Sequence, residues 1–266
     1  MAFSFRRHKS NHNFWLLLIN TGLMKKVIII GATSGIGREV ALSMLRKGWL
    51  LGVAGRREDL LEELRAEYPE NVVTYAIDVM KDDAAEKLSH LIKLRGGMDL
   101  FFLASGTGRQ NPSLDEDIEI RTAETNVSGF IRVVTAAYHY FETKGSGHIA
   151  VISSIAGTKG LGSAPAYSAT KQFQNTYIDA LAQLSRMAKA NIRFTDIRPG
   201  FVDTALLNSK EHRYPMLMSP AKVAASIMRA IEKKKRVAVI DWRYRILVFF
   251  WKLIPRWLWE RLKIKN

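Results

Sequence analysis

The chain of 266 residues contains no cysteine. This absence excludes a disulfide-stapled scaffold, a thiolate nucleophile and any metal site built from cysteine. The histidines also lack the spacing of metal ligands, since His90, His139 and His148 stand far apart in the sequence. We therefore predict that these histidines are surface or structural residues and that the chain binds no metal.

Long apolar runs are missing as well: none approaches the roughly 18 residues of a membrane-spanning helix. Acidic residues are scarce at both ends. Residues 1–26 contain five Lys or Arg and no acid, and residues 227–266 contain twelve Lys or Arg against three acids. The body between them is nearly neutral, so the net charge of +15 belongs to the ends. A neutral body argues against salt-dependent binding of DNA or RNA, and we predict no nucleic-acid partner.

The first 23 residues resemble a signal peptide in outline, because Arg6, Arg7 and Lys9 precede the apolar residues 14–19. That apolar core is shorter than the roughly 7–15 residues of such peptides, and no A-x-A-like cleavage site follows. Met24 then opens directly into a predicted strand. We predict that translation starts at Met24 and that residues 1–23 are a disordered or non-native extension.

The other end, residues 242–266, is aromatic and basic. Four of the six tryptophans lie here among Arg and Lys: Trp242, Trp251, Trp257 and Trp259. A segment of this composition suits the interface of an anionic membrane, where the rings reach headgroup depth. Packing of the aromatics on the domain or on a second subunit explains the pattern equally well, and the sequence leaves both interpretations open.

Between these ends, short apolar runs alternate with helical stretches. The predicted strands are residues 26–30, 50–54, 71–77, 98–104, 148–153, 192–197 and 236–240. Strands that alternate with helices of this length indicate a parallel sheet covered on both faces. The sequence therefore predicts one α/β domain over residues 24–241, a Rossmann-type doubly wound parallel sheet of about seven strands with helices on both faces.

A glycine-rich loop follows the first predicted strand directly and opens the first helix. Such a loop brings backbone amides close to a pyrophosphate at the positive end of the helix, although a purely structural turn also uses glycine. We predict a dinucleotide site here. Its residues are Gly31, Thr33, Ser34, Gly35, Ile36 and Gly37.

The second strand ends in Gly55-Arg56-Arg57, where NAD-selective folds place an acid for the ribose 2′-hydroxyl. Guanidinium groups favour a 2′-phosphate instead, so we predict that NADP(H) is preferred over NAD(H), with Arg56 as the ligand and Arg57 opening a solvated helix. Asp78, next to Val79 after the third strand, is placed to accept from the adenine amino group. It is also an ordinary turn-forming residue.

Tyr167 and Lys171 lie four residues apart on a predicted helix, and therefore on one face. A nearby ammonium stabilises a phenolate and lowers its pKa from about 10 toward the working range. This spacing alone easily occurs by chance, and Tyr140–Lys144 repeats it. Only Tyr167, however, follows a strand that ends in Ser153-Ser154, and strands of such sheets deliver their carboxyl ends to the ligand crevice.

In this order, the motifs resemble the short-chain dehydrogenase/reductase family from about residue 24 to residue 240. The matching positions are Gly31, Gly35, Gly37, Asn126, Ser154, Tyr167, Lys171, Pro199 and Gly200. The family's Asn-Asn-Ala-Gly element appears as Leu-Ala-Ser-Gly, ending at Gly106, which loses side-chain hydrogen bonds expected there.

The resemblance implies a role for each matched side chain. Tyr167 is the proton donor, Ser154 polarises the substrate oxygen, and Lys171 holds the nicotinamide ribose and lowers the pKa of Tyr167. Asn126 supports a proton-relay water, and Val202 and Thr204 orient the carboxamide. The family commonly forms dimers and tetramers, so a homodimer or homotetramer is expected.

The sequence therefore predicts an NADP(H)-dependent oxidoreductase that interconverts a ketone and a secondary alcohol. Apolar residues in the variable segment 205–218, the expected substrate lid, suggest an apolar or lipid-like substrate, although covering the sheet edge explains them equally well. The alternative is a non-catalytic dinucleotide-binding regulatory or scaffold protein of the same fold. A cytoplasmic location is expected, with peripheral membrane contact if the carboxyl-terminal segment binds lipid.

Overall fold

The computed structural model describes residues 25–207 and 214–264. The predicted extension 1–23 with Met24, the middle of the predicted lid and the last two residues of the carboxyl-terminal segment lie outside these ranges.

A single parallel sheet of seven strands organises the described chain, in the order β3-β2-β1-β4-β5-β6-β7. The strand order reverses between β1 and β4, which is the topological switch point where ligands bind in such sheets. The strands are β1 (Lys26–Ile30), β2 (Leu50–Gly55), β3 (Val72–Ala76), β4 (Leu100–Leu103), β5 (Ser146–Ile152), β6 (Asn191–Arg198) and β7 (Val237–Val239).

Helices connect the strands and cover both faces of the sheet. They are α1 (Gly35–Leu45), α2 (Glu58–Glu67), α3 (Ala84–Arg95), α4 (Glu116–Ala123), α5 (Gly129–Lys144), α6 (Pro165–Met187), α7 (Pro220–Glu232), α8 (Trp242–Leu253) and α9 (Arg256–Trp259). A π-helical turn at Glu124–Ser128 joins α4 to α5, and a 3₁₀ turn at Ile155–Thr158 follows β5.

The alternation of side chains along β1 explains the two layers of core. Val27 and Ile29 point into one apolar cluster, and Ile28 and Ile30 point into the other. Every second residue of a strand faces the same side, so a run without polar residues is buried on both faces. The predicted fold class, a doubly wound parallel sheet of seven strands with helices on both faces, is confirmed.

Helix α8 packs on the first of these two clusters. Its Tyr244 is fully buried and Val248 is 6% exposed. The first half of the aromatic, basic segment is therefore attached to the core of the domain by one of its faces. In the described ranges, no helix combines the length and apolarity needed to cross a bilayer.

Candidate active site

The glycine loop shapes a cradle at the switch point of the sheet. Gly31 has φ +93°, and a Cβ there would lie 2.5 Å from the backbone nitrogen of Ser105. A Cβ on Gly37 would lie 2.0 Å from the carbonyl oxygen of Gly31, so neither position accepts a side chain. Helix α1 begins at Gly35 without an acidic residue in its first turn. Its free N–H groups suit the binding of a pyrophosphate.

The loop after β6 closes one side of this cradle. The Cγ2 atom of Thr204 lies 3.2 Å from the Cβ position of Gly35, at the start of α1. Val202 pairs with Met218 in a parallel bridge. Thr204 therefore lies next to the glycine loop at the start of α1.

The two arginines after β2 behave differently from each other. One terminal nitrogen of Arg57 donates to Thr33 Oγ1 and to Ser34 Oγ, both at 2.8 Å. Arg56 is exposed and makes no hydrogen bond to the described residues. We expected Arg57 only to open a solvated helix, but the structure places its guanidinium on the glycine loop. A contact between residues about 24 positions apart leaves no signal in a local sequence pattern.

Asp78 forms a turn, which is the simpler of the two interpretations given for this residue. Its Oδ1 accepts from the backbone N–H of Met80 at 3.1 Å. The next residue, Val79, is buried against Gly129, where a Cβ would lie 2.8 Å from Val79 Cγ2. The local backbone thus accounts for both residues without a ligand.

Ser154, Tyr167 and Lys171 come together at the carboxyl end of β5. Ser154 Oγ accepts from the N–H of Ala156 at 3.1 Å and donates to the carbonyl oxygen of Pro199 at 3.4 Å, which joins the ends of β5 and β6. Lys171 Nζ lies 5.7 Å from the centre of the Tyr167 ring, one turn along α6. The structure thus brings the serine, phenol and ammonium of the motif into one site.

The electrostatics of this site differ from the expectation. Burial raises the pKa of Tyr167, and a hydrogen bond with Ser154 acts against that rise. Burial also lowers the pKa of Lys171 to about 8, although the charge of Asp196 acts in the opposite direction. Burial is therefore the largest influence on the pKa of Tyr167 in this geometry, while the Lys171 ammonium faces the ring.

The hydrogen bonds of Lys171 reveal a residue that the sequence reasoning missed. Its ammonium donates to the carbonyl oxygen of Ile152 at 3.1 Å and to Gln174 Oε1 at 3.0 Å. Gln174 Nε2 donates in turn to the carbonyl oxygen of Asn126 at 2.9 Å. A buried amide thus joins Lys171 to Asn126. The available signal was a polar residue three positions after Lys171, on the same helix face.

Asn126 lies in the π-helical turn and is fully buried. Its side chain accepts from the N–H of Thr107 at 3.0 Å and donates to the carbonyl oxygen of Thr107 at 2.7 Å. It also donates to Thr170 Oγ1 at 3.1 Å. Asn126 therefore fixes the loop after β4, where the departure at Ser105-Gly106 had removed the expected side-chain bonds.

This loop lies directly on α6, the helix that carries Tyr167 and Lys171. A Cβ on Gly106 would lie 3.4 Å from Lys171 Nζ, and a Cβ on Gly108 would lie 2.2 Å from Tyr167 Cδ2. The backbone at Gly108 thus packs against the half-buried Tyr167 ring and contributes to the burial that raises its pKa.

Glu119 of α4 holds the start of α6, a role that no sequence motif indicates. Its Oε2 accepts from the N–H of Ala166 at 2.9 Å, one of the unpaired donors of the helix start. Its Oε1 accepts from Asn111 Nδ2 at 2.8 Å. One carboxylate therefore connects the loop after β4 with the turn that carries Tyr167.

The second Tyr–Lys pair lies at the opposite end of the sheet. Tyr140 Oη accepts from the N–H of Met98 at 3.0 Å, and Lys144 Nζ donates to the carbonyl oxygen of Met98 at 2.7 Å. Both contacts hold the chain just before β4 begins. This pair is structural, as its position in the sequence predicted.

Two further observations concern the surroundings of the site and its capacity to hold a metal ion. A hollow of about 400 Å³ lies beside it, lined by residues that include Gly160, Pro165 and Ala169, but neither Ser154 nor Tyr167 lines this hollow. Within the part of the chain that the structure describes, no group of three or more His, Asp or Glu side chains is arranged to hold a metal ion.

Comparison with known proteins finds related sequences that match most of the chain. The sequence profile of the family described as short chain dehydrogenase matches residues 25–215. An uncharacterized oxidoreductase of Myxococcus xanthus is 30% identical over 242 residues, which cover 89% of this chain and 95% of that protein.

Solved structures agree on the fold. A short chain dehydrogenase from Burkholderia cenocepacia in complex with NADP has a TM-score of 0.78 at 18% identity, covering 91% of this chain and 98% of that chain. The 3-ketoacyl-(acyl-carrier-protein) reductase from Brucella melitensis, complexed with NADH, has a TM-score of 0.71 at 22% identity, covering 81% and 95%. At these identities the likeness concerns the fold.

Proposed function

The chain belongs to the short-chain dehydrogenase/reductase family of NAD(P)-dependent oxidoreductases, and on this premise we propose that it interconverts an apolar ketone and its secondary alcohol with NADP(H). The observation that carries the proposal is the meeting of Ser154, Tyr167 and Lys171 beside the glycine cradle. The loop suits a dinucleotide, because Gly31 and Gly37 let the backbone pack tightly on itself at the start of α1, where the N–H groups of the first turn can bind a pyrophosphate.

The residues of the chain would share the acid–base work. The bound nicotinamide supplies or accepts the hydride. In the direction of reduction, Tyr167 Oη gives its proton to the substrate oxygen, and Ser154 Oγ holds that oxygen by a hydrogen bond. Lys171, placed by Gln174 and Asn126, holds a positive charge over the ring. A tyrosine whose pKa is raised remains protonated at neutral pH, which suits a proton donor.

We propose NADP(H) as the preferred cofactor because two arginines, and no acid, occupy residues 55–57 at the end of β2. The Arg57 guanidinium already lies on the glycine loop, with one nitrogen engaged by Thr33 and Ser34. Its remaining N–H groups suit a ribose 2′-phosphate, which takes bidentate contacts from guanidinium. Arg56, exposed beside it, is the second candidate.

We propose a lipid-like substrate and a peripheral place at an anionic membrane surface. The described part of the segment after β6 carries apolar residues at Leu206, Leu207, Met216 and Met218. The carboxyl-terminal segment is aromatic and basic. If the carboxyl-terminal segment packs on protein instead, we expect a soluble homodimer or homotetramer that acts on a small ketone.

The decisive experiment replaces the proton donor. Tyr167→Phe should lower kcat for ketone reduction by about 10²- to 10⁴-fold, the usual contribution of a general acid. The substrate panel is a set of aliphatic, steroid, sugar and acyl-chain ketones, each followed with NADPH and with NADH. Tyr140→Phe is the matched control, because its pair lies at the other end of the sheet.

An unchanged rate in Tyr167→Phe would support the alternative, a dinucleotide-binding regulatory or scaffold protein. The cover of Gly108 over the Tyr167 ring is the observation that favours this second candidate. Binding of NADPH without turnover of any ketone in the panel would point the same way.

A further inference from the structure

Helix α8 has two apolar faces, and the core of the domain uses only one of them. Tyr244 and Val248 are buried. Residues of a helix follow one another at about 100° around its axis, and this spacing collects the exposed apolar residues into one stripe on the opposite side. These residues, called here the exposed stripe, are Trp242 (63% exposed), Ile246 (49%), Phe249 (60%), Phe250 (58%) and Leu253 (64%).

Cations flank this stripe, and further aromatic and apolar side chains follow it. Arg245 and Lys252 are exposed on α8, and within residues 25–207 and 214–264 neither has an acidic partner. Beyond α8, Trp257 is 59% exposed, and the guanidinium of Arg261 lies 5.6 Å from the centre of its ring. The surface thus combines large apolar rings with unpaired positive charge.

This combination limits what can cover the stripe. A second copy of the chain would bring the same surface, and residues 227–266 hold twelve Lys or Arg against three acids. A symmetric contact through the stripe would therefore oppose like charges. A bilayer with anionic headgroups meets both requirements, because aromatic rings enter the interface while Lys and Arg contact the phosphates.

We propose that the exposed stripe is a docking surface for an anionic lipid bilayer. The proposal names the surface that would carry the peripheral membrane place proposed above, and it rests on the proposed function for the idea that the substrate comes from lipid.

Hydrogen bonds attach residues 242–264, which carry the exposed stripe, to both loops beside Tyr167. Trp259 Nε1 donates to the carbonyl oxygen of Gly160 at 2.8 Å, and Lys159 Nζ donates to the carbonyl oxygen of Ile254 at 2.8 Å. Residues 159 and 160 belong to the loop between Ser154 and Tyr167.

On the other side of the site, Tyr244 Oη accepts from the N–H of Phe201 at 3.0 Å and donates to the carbonyl oxygen of Pro215 at 3.0 Å. These two residues belong to the loop after β6. A docked bilayer would thus be held next to both walls of the site.

The test is co-sedimentation of the full chain with vesicles, without cofactor or ketone. Phosphatidylcholine vesicles are compared with vesicles that also contain phosphatidylglycerol. We expect binding to the anionic vesicles, weakened at least 10-fold in F249S/F250S. R245E/K252E should lose the electrostatic part of the binding, which is the part that added salt also removes. The matched control is L184S/M187S on α6, where Leu184 is 47% and Met187 75% exposed, and it should bind like the unsubstituted chain.

Three results would overturn the proposal: no binding of the unsubstituted chain to anionic vesicles, equal binding by F249S/F250S, or an equal loss in L184S/M187S. A dimer that becomes a monomer in F249S/F250S on size-exclusion chromatography would instead show that a second copy covers the stripe. An unchanged thermal midpoint shows that each variant is folded. Because no ketone is present, failure of the Tyr167→Phe test leaves this result standing.

Discussion

At the scale of single residues, Arg57 shows how a side chain judged unimportant in the sequence can reach the functional loop. Arg56 and Arg57 are adjacent and chemically identical, yet only Arg57 donates to Thr33 and Ser34. The direction of β2 and the start of α2 decide which guanidinium turns toward the loop. The two arginines therefore give a direct comparison of neighbouring positions.

Arg57→Gln should lower kcat/KM with NADPH about 10- to 150-fold and leave the value with NADH nearly unchanged. A hydrogen bond to a charged group such as the 2′-phosphate contributes about 1.5–3 kcal/mol. NADH has no 2′-phosphate, so it has no such bond to lose. Steady-state kinetics with both cofactors give the ratio. Arg56→Gln is the comparison: a larger loss there assigns the phosphate to Arg56, and equal losses with NADH indicate a structural role.

Gln174 is a positioning residue for Lys171, and its removal should appear in the pH profile. Burial lowers the pKa of Lys171 to about 8, so its ammonium is present below that pH and lost above it. Gln174→Leu removes an acceptor of the ammonium, which lowers this pKa further. The alkaline fall of kcat should therefore begin at lower pH.

The control for this variant is Gln172→Leu, an exposed position two residues earlier on the same helix. It should keep the original profile. If Gln174→Leu reduces the rate equally at every pH, the glutamine supports the structure without affecting the charge of Lys171.

At the scale of elements, the helical stretch between β4 and β5 is divided in the structure. Helix α4 ends at Ala123, a π-helical turn follows, and α5 begins at Gly129. The turn points Asn126 at the backbone of Thr107 and at Thr170. Helical periodicity does not reveal a π turn, because the distant partners of Asn126 stabilise it.

Helix α8 stabilises the loop after β6 through one hydroxyl group. Tyr244 Oη accepts from the N–H of Phe201 and donates to the carbonyl oxygen of Pro215, and its ring lies against Gly200. Tyr244→Phe leaves a partly buried N–H without its partner, so we expect the free energy of unfolding to fall by about 1–3 kcal/mol. Urea denaturation measures the change.

Tyr138→Phe is the matched control for that substitution. The Tyr138 hydroxyl is buried and has no hydrogen-bond partner among the described residues. Its removal should leave stability equal or slightly higher, because no bond is lost. Equal destabilisation in both variants would contradict the role given to the Tyr244 hydroxyl.

At the scale of the whole molecule, charge and burial together set the response to acid. His148 is 7% exposed, and its Nε2 lies 2.8 Å from Thr195 Oγ1, between β5 and β6. Burial lowers its pKa from 6.5 to about 4, with smaller contributions from Lys25 and other cations. The folded state therefore resists protonation that the unfolded chain accepts.

Stability should consequently fall as the pH drops from 6.5 toward 4. With these two pKa values, the contribution of His148 to the loss between pH 7.5 and pH 5 is about 2 kcal/mol. Urea midpoints at the two pH values measure it, and His148→Gln should remove that part. His139→Gln, at an exposed position, is the control. If His148→Gln loses as much stability between pH 7.5 and pH 5 as the unsubstituted chain, other groups cause the effect.

The sequence by itself determined the parts of this protein that depend on neighbours along the chain. The alternation of apolar runs and helices predicted the doubly wound sheet, and the strand ends are right to within two residues, as for β4. The glycine loop and the order of the motifs predicted the family, which the comparisons confirm. Glycines in tight loops and alternating strands have local causes, so local patterns reveal them.

Only the tertiary structure decided the contacts between distant segments. It placed Arg57 on the glycine loop, joined Lys171 to Asn126 through Gln174, and divided the carboxyl-terminal segment into a buried and an exposed face. It also raised the pKa of Tyr167 by covering its ring with the loop after β4. These features depend on distances through space and on burial, and neither can be read from residues that lie dozens of positions apart.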